Sequence, residues 1–118
     1  MGTFEVQIQV ANTSQQGFVG LQALVDTGST HTMFPRDLLV RLGIQAIDRR
    51  GFRLADERRV VYEVGEARIR LDGREQTILV VFGPEGVTPI IGATTLEVFN
   101  LGVDPAGRRL VPVDGLLK

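Results

Sequence analysis

The chain has 118 residues, room for roughly one domain, and 43% of them are hydrophobic, enough for one core. Charged residues make up 23% and the formal net charge is -1, so bulk charge draws the chain neither to nucleic acid nor to an anionic membrane. Cysteine is absent, which excludes disulfides, thiolate metal ligands and cysteine nucleophiles, and no apolar run approaches the roughly 20 residues of a membrane-spanning helix. The opening "MGTFEVQIQV" carries no charged region ahead of an apolar stretch, and position 6 is Val rather than Ser or Thr. Neither a signal peptide nor N-myristoylation is therefore expected, and the expectation is a single cytoplasmic domain over 1–118.

Taken in chain order, "TFEVQIQVAN" alternates, with Phe4, Val6, Ile8 and Val10 on one face and Glu5, Gln7 and Gln9 on the other: a half-exposed strand. "TSQQG" is a turn, and "FVGLQALV" a second strand that ends at Asp26. "FPRDLLVRLGI" predicts a short helix, with Pro35 in its first turn, an apolar stripe of Leu38, Leu39 and Leu42, and Gly43 as its C-terminal cap. "GFRLADERRVVYEV" reads as strand, tight turn near Ala55 to Arg58, and strand. "ARIRLDGREQTILVVF" is a hairpin about Asp72-Gly73. "GPEGVTP" is a loop, and "IIGATTLEVFNLG" predicts a short strand, a Gly and a helix capped by Thr94 or Thr95. The end predicts a last turn and strand. Many short strands and two short helices make a mostly β domain, closed or strongly folded.

The chemistry available is limited. One His makes a histidine-rich zinc site impossible within one chain. Asp26, Ser29 and His31 lie within six residues, whereas hydrolase triads assemble from distant segments. No glycine loop has the spacing that cradles phosphate. Asp37 suits a helix first turn better than a metal site shared with Asp26 and Asp48. The arginine doublets at 49–50, 58–59 and 108–109 lack interleaved aromatics and read as solvated faces. What remains is Asp26-Thr27-Gly28, a carboxylate delivered from the end of an apolar strand. The structural reading is a turn, with Asp accepting backbone N–H groups and Gly supplying an unusual φ. Against it stand two apolar residues before the Asp, two small hydroxyl residues after the Gly, and a downstream Ile90-Ile91-Gly92 before a helix.

This ordered set resembles the retroviral-type, retropepsin-like aspartic proteases, and most of all their small single-domain bacterial members. "ALVDTGST" matches the catalytic loop, "LADERRVVYEV" the flap hairpin, "ARIRLDGREQTILVVF" the body strands and "PIIGATTLEVFNL" the apolar-apolar-Gly segment with its helix. "GVDPAGRRLVPV" is similar to the end of the bacterial members, so the resemblance covers nearly the whole chain. It implies a retropepsin-like closed, folded β-barrel with a flap hairpin, which is half of a pepsin-like site. It implies an aspartic endopeptidase that acts on peptide or protein substrates as a homodimer, with no metal and no cofactor. The alternative is a non-catalytic dimerisation or peptide-binding module on the same fold.

Residue by residue, the resemblance makes Asp26 catalytic, with Thr27 bracing the two catalytic loops across the dimer axis and Gly28 bringing its N–H to the dyad. Ser29, with a hydroxyl in donating reach of Asp26, and His31 fall at substrate-lining positions. Leu54, Ala55, Asp56 and Glu57, up to Arg58, form the flap tip, which here has no Gly. Val87 and Ile90 match pocket-lining positions, and Tyr62 reads as an ordinary strand aromatic. Ala93 stands where retroviral enzymes carry an Arg that ties down the site, which leaves the terminal strands, residues 3 to 10 and 109 to 113, to stabilise the dimer.

Overall fold

The computed structural model describes residues 3–14 and 17–117. Part of the expected turn over 13–17 lies outside them. The elements are β1 (Phe4–Ala11), β2 (Val19–Val25), β3 (Thr32–Pro35), α1 (Arg36–Arg41), β4 (Ala46–Arg53), β5 (Arg59–Leu71), β6 (Arg74–Gly83), β7 (Ile90–Ile91), α2 (Ala93–Val98), β8 (Leu101–Asp104) and β9 (Arg109–Pro112).

Alternation does its expected work in β1. Phe4, Ile8 and Val10 are buried while Glu5, Gln7 and Gln9 are exposed. The main sheet runs β1-β2-β7-β3-β6-β5-β4, and β1 also pairs with β5 from Gln9 to Ala11. That pairing closes six strands into a barrel and leaves β4 outside it, attached to β5 alone. The barrel is filled by Ile8, Val10, Val25, Phe34, Ile69, Val80 and Ile91, with Leu39 of α1 and Leu96 of α2 against it. Each such side chain contributes about 1.5–3 kcal/mol when fully buried. The strands β8 and β9 form a separate two-stranded sheet.

Helix α1 is stopped as its sequence predicts. Gly43 takes φ 78, its N–H reaches the Val40 carbonyl, and the Ile44 N–H reaches that of Leu39. That double bond is a Schellman cap. Pro35 does not enter the helix; it closes β3, with φ -57 and ψ 137, and sits at the N-cap. The strand β3 itself was not expected. The segments "VVYEV" and "ARIRL", read as parts of two hairpins, are one 13-residue strand, β5. Its first half forms a protruding ribbon with β4, and its second half belongs to the barrel. At the crossing, a Cβ on Gly65 would lie 2.7 Å from the Gln45 carbonyl oxygen, so only a glycine lets the strand pass. Among the described residues no helix is long and apolar enough to cross a membrane.

The β5–β6 hairpin turns at Asp72 (φ 55) and Gly73 (φ 76), the left-handed pair that a two-residue turn demands. Beside it Glu75 accepts from Arg70 at 3.0 Å and from Arg68 at 2.8 Å. Those hydrogen bonds and charges, Arg70 first, hold the Glu75 carboxyl below its ordinary value of 4.5. Asp104 is held below 3.8, chiefly by the Gly107 N–H and then by Arg109 and Ala106. A depressed carboxyl stabilises the fold above its unfolded value, and that stability drains away as pH falls through the lower, folded value. Urea melts should therefore show wild type losing stability as pH falls below about 4.5. Glu75→Gln should be less stable than wild type at neutral pH and converge on it in stronger acid. Parallel curves for the two proteins would remove Glu75 from this account.

Candidate active site

Asp26 follows the last residue of β2, and the barrel fixes its loop. The Asp26 N–H donates to the Ile91 carbonyl at 3.0 Å, so the residue leaves the sheet while still tied to β7. Its Oδ1 accepts the Gly28 N–H at 3.0 Å, and its carbonyl accepts the Ser29 N–H at 3.1 Å. These bonds make a tight turn that holds the carboxylate at a half-buried position.

The other side of the loop is held by α2. The Ala93 N–H donates to the Ser29 carbonyl at 2.8 Å, and the Thr94 N–H to the Thr30 carbonyl at 3.0 Å. The Thr94 hydroxyl adds a 2.8 Å bond to the same Thr30 oxygen. Beneath them the buried Thr32 hydroxyl accepts the Gly92 N–H at 3.0 Å and bonds the Thr95 hydroxyl. Thus the Ala93 and Thr94 N–H groups at the open helix end are satisfied by loop carbonyls, and that of Gly92 by a hydroxyl. This corrects the expected capping by Thr94 or Thr95: the N-cap is Gly92, with no side-chain cap, because both hydroxyls are engaged with the loop and β3. Ala93 itself ties the loop through its backbone N–H.

The far end of α2 is anchored by Arg74, which donates through Nη2 to the Phe99 carbonyl at 2.6 Å. A cation suits the negative end of a helix, and the bond is charge-assisted. Arg74→Ala should cost about 1–2 kcal/mol of stability in urea melts. Arg74→Lys should recover part of it.

Asp26 opens into a cleft of about 620 Å³. One wall is the loop itself, with Gly28, Ser29, Thr30 and His31. The floor is barrel side chains, Met33, Val81 and Ile90. The roof is the β4–β5 ribbon, with Phe52, Arg53, Leu54, Ala55, Glu57 and Tyr62. The ribbon meets the loop through an edge contact between the rings of His31 and Phe52, 5.2 Å apart, and Phe52 stacks at a tilt on Tyr62 at 6.2 Å.

Most residues expected in the site therefore share this cleft. Asp56 and Val87 do not line it. The Asp56 carboxylate turns back to the Arg58 N–H and guanidinium, which stiffens the ribbon tip. Val87 sits on the loop after β6, over the bare Cα of Gly83 that it shares with Met33. Thr27 does not line the cleft. The Ser29 hydroxyl donates to the His31 carbonyl at 2.9 Å rather than to Asp26. Thr30, Met33, Phe52, Arg53 and Val81 were not expected in the site, and Tyr62 is part of the roof rather than an ordinary strand aromatic. The tip contains no glycine, yet Glu57 adopts φ 74 where a glycine would be natural.

A family model described as aspartyl protease matches residues 4–95. No curated protein sequence matches the chain. Among solved structures, the simian foamy virus protease is similar in fold, with a TM-score of 0.54 at 15% identity, covering 80% of this chain and 94% of the viral one. The EIAV protease, solved with an inhibitor, gives a TM-score of 0.58 at 18% identity, covering 83% of this chain and 88% of the viral one.

Proposed function

The chain belongs to the aspartyl protease family, and we propose that it is an aspartic endopeptidase whose dyad pairs Asp26 with the Asp26 of a second copy. The observation that carries this reading is a lone Asp-Thr-Gly turn, pinned by β7 and α2, with its Asp lining a roofed cleft. The sequence has one such turn, and two carboxylates are needed, so the working site is a two-fold dimer.

Two carboxylates about 3 Å apart do not both ionise, so the pair retains one proton. The ionised oxygen takes a proton from water as the water attacks the scissile carbonyl. The protonated oxygen hydrogen-bonds that carbonyl and favours the tetrahedral diol. The dyad then delivers a proton to the leaving amine. Gly28 brings its N–H to the dyad, Thr27 braces the loops, and the ribbon acts as a flap over an extended peptide. Such a peptide binds through main-chain hydrogen bonds with its side chains in alternate pockets.

The test is cleavage of a denatured protein mixture between about pH 3 and about pH 7, read by mass spectrometry at two enzyme concentrations. The expected result is cleavage in acid whose rate per chain rises with concentration. A rate per chain independent of concentration well below the dimer's dissociation constant would place the whole site in one copy and sink the shared dyad.

A further inference from the structure

Strand β4 is the terminal strand of the main sheet, eight residues long, and every residue of it except Phe52 is exposed. An edge of that length with open main-chain groups is a template for another strand. The direction of those groups can be read from their neighbours. The Leu54 N–H points inward to the Arg58 carbonyl, and the Arg49 N–H points away from β5 to its neighbour's Asp48 carboxylate. Main-chain groups alternate along a strand, so the N–H groups of Gly51 and Arg53 face the open side as well.

The same alternation sorts the side chains. Arg49 lies opposite Glu63, Gly51 opposite Val61, and Arg53 opposite Arg59, all on one face of the ribbon. Two like charges directly opposite each other disfavour the pairing. Arg59 escapes sideways: its guanidinium lies on the bare Cα of Gly51, where a Cβ would meet Nη2 at 2.4 Å. The result is a row of Arg49, Arg59 and Arg53 at positions two residues apart, roughly 7 Å per step. Little neutralises it. Glu63, the residue facing Arg49, is engaged by Arg36 at 3.2 Å. Glu57 reaches Arg53 at 3.4 Å, but that pair is so exposed that an incoming carboxylate competes with it. Among the described residues nothing pairs with the Arg49 or Arg59 side chain.

From this geometry we infer that the open edge of β4 docks an extended acidic segment of a protein partner, which adds as a further strand and sets alternate carboxylates on the arginine row. A strand paired at Gly51 and Arg53, and beyond them at the Arg49 carbonyl since the Arg49 N–H is held by Asp48, places its facing side chains on the arginine side at the same spacing. A nucleic acid would meet the charge but not the ladder of N–H and C=O groups. Arg53 also borders the cleft, whereas Arg49 and Arg59 do not, so the strip runs outward from the cleft's roof and holds a segment of the partner rather than the bond to be cut.

The test uses full-length Asp26→Asn protein, so that binding is read without cleavage and stands or falls apart from the proposed activity. The probe is a fluorescent peptide of about eight residues alternating Glu and Thr, followed by anisotropy. It should bind about tenfold or more tighter than a peptide of the same composition with its glutamates contiguous, and than one N-methylated on the ladder side. Salt should weaken it. Arg49→Glu and Arg59→Glu should each weaken it about fivefold or more, with folding checked by circular dichroism. Gly51→Ala, which keeps every charge but evicts the Arg59 guanidinium, should weaken it too. Equal binding of the contiguous or N-methylated peptide, preference for an RNA oligomer of equal charge, or no binding at all would overturn the proposal. In that last case, aggregation of the Arg49→Val, Arg59→Val protein would assign the row to guarding the edge.

Discussion

Replacing Asp26 with Asn should lower peptide cleavage by about 10²–10⁴-fold while leaving the fold in place. The two halves of that expectation come from different atoms. An amide cannot act as the general base for water, and a pair of amides shares no acidic proton, so the chemistry is lost. The Oδ1 of Asn still accepts the Gly28 N–H, the bond that shapes the turn, so the stability change should stay within about 1 kcal/mol. Cleavage assays and thermal melts on one preparation separate the two. A mutant retaining a tenth or more of the wild-type rate would transfer the chemistry to another group. An inactive mutant that is also largely unfolded would leave the chemical role unsupported, and Asp26→Glu, which keeps the acid but moves it, would then have to show reduced activity in a folded protein. A silent wild type that still forms folded dimers would favour the non-catalytic module.

Gly92→Ala should be the most damaging single-methyl change in the chain. Gly92 has φ -92 and ψ 177, which any residue adopts, so its need for glycine is one of space. An added Cβ would lie 2.4 Å from the His31 carbonyl oxygen and 2.8 Å from that of Ser29. Both belong to backbone that cannot swing aside, because the same loop is bonded to Ala93 and Thr94. Overpacking of this kind costs about 3 kcal/mol, which lowers the melting temperature by roughly 10–20 °C in a domain of this size. Activity should fall further than stability, since the loop that moves carries Asp26. Gly20→Ala is the control: its nearest neighbour is the mobile Gln7 side-chain nitrogen at 3.1 Å, and it should cost less than about 1 kcal/mol. Equal melting temperatures for the two variants would mean that the loop yields readily.

What the sequence disclosed followed physical strength of pattern. The alternation of β1, the Asp72-Gly73 turn and the Gly43 cap each rest on one dominant local effect, and each was legible. The start of β4 was not, because residues 46–51 are exposed on both faces and show no apolar period; only the main-chain ladder to β5 holds them extended. The four residues of β3 were hidden by their brevity and by Pro35, which suits a helix start as well as a strand end. The cleft was legible where a motif falls on it, at Asp26, Gly28 and Ile90. Met33 and Val81 reach the cleft through strand pairings to β7 and β5 that no local pattern encodes. Phe52 and Tyr62 reach it because the ribbon folds back over the loop, a tertiary event.

The loop–helix clasp also sets a time order. Thr30 receives its partner from Thr94, 64 residues later, and Thr32 from Gly92, 60 residues later. Contacts so distant in sequence close late in folding, after local hairpins such as β5–β6 have formed. During synthesis the Asp26 segment emerges from the ribosome long before α2 exists. Until then neither β7 nor α2 pins the Asp26 loop, so a half-made chain carries the motif without the site.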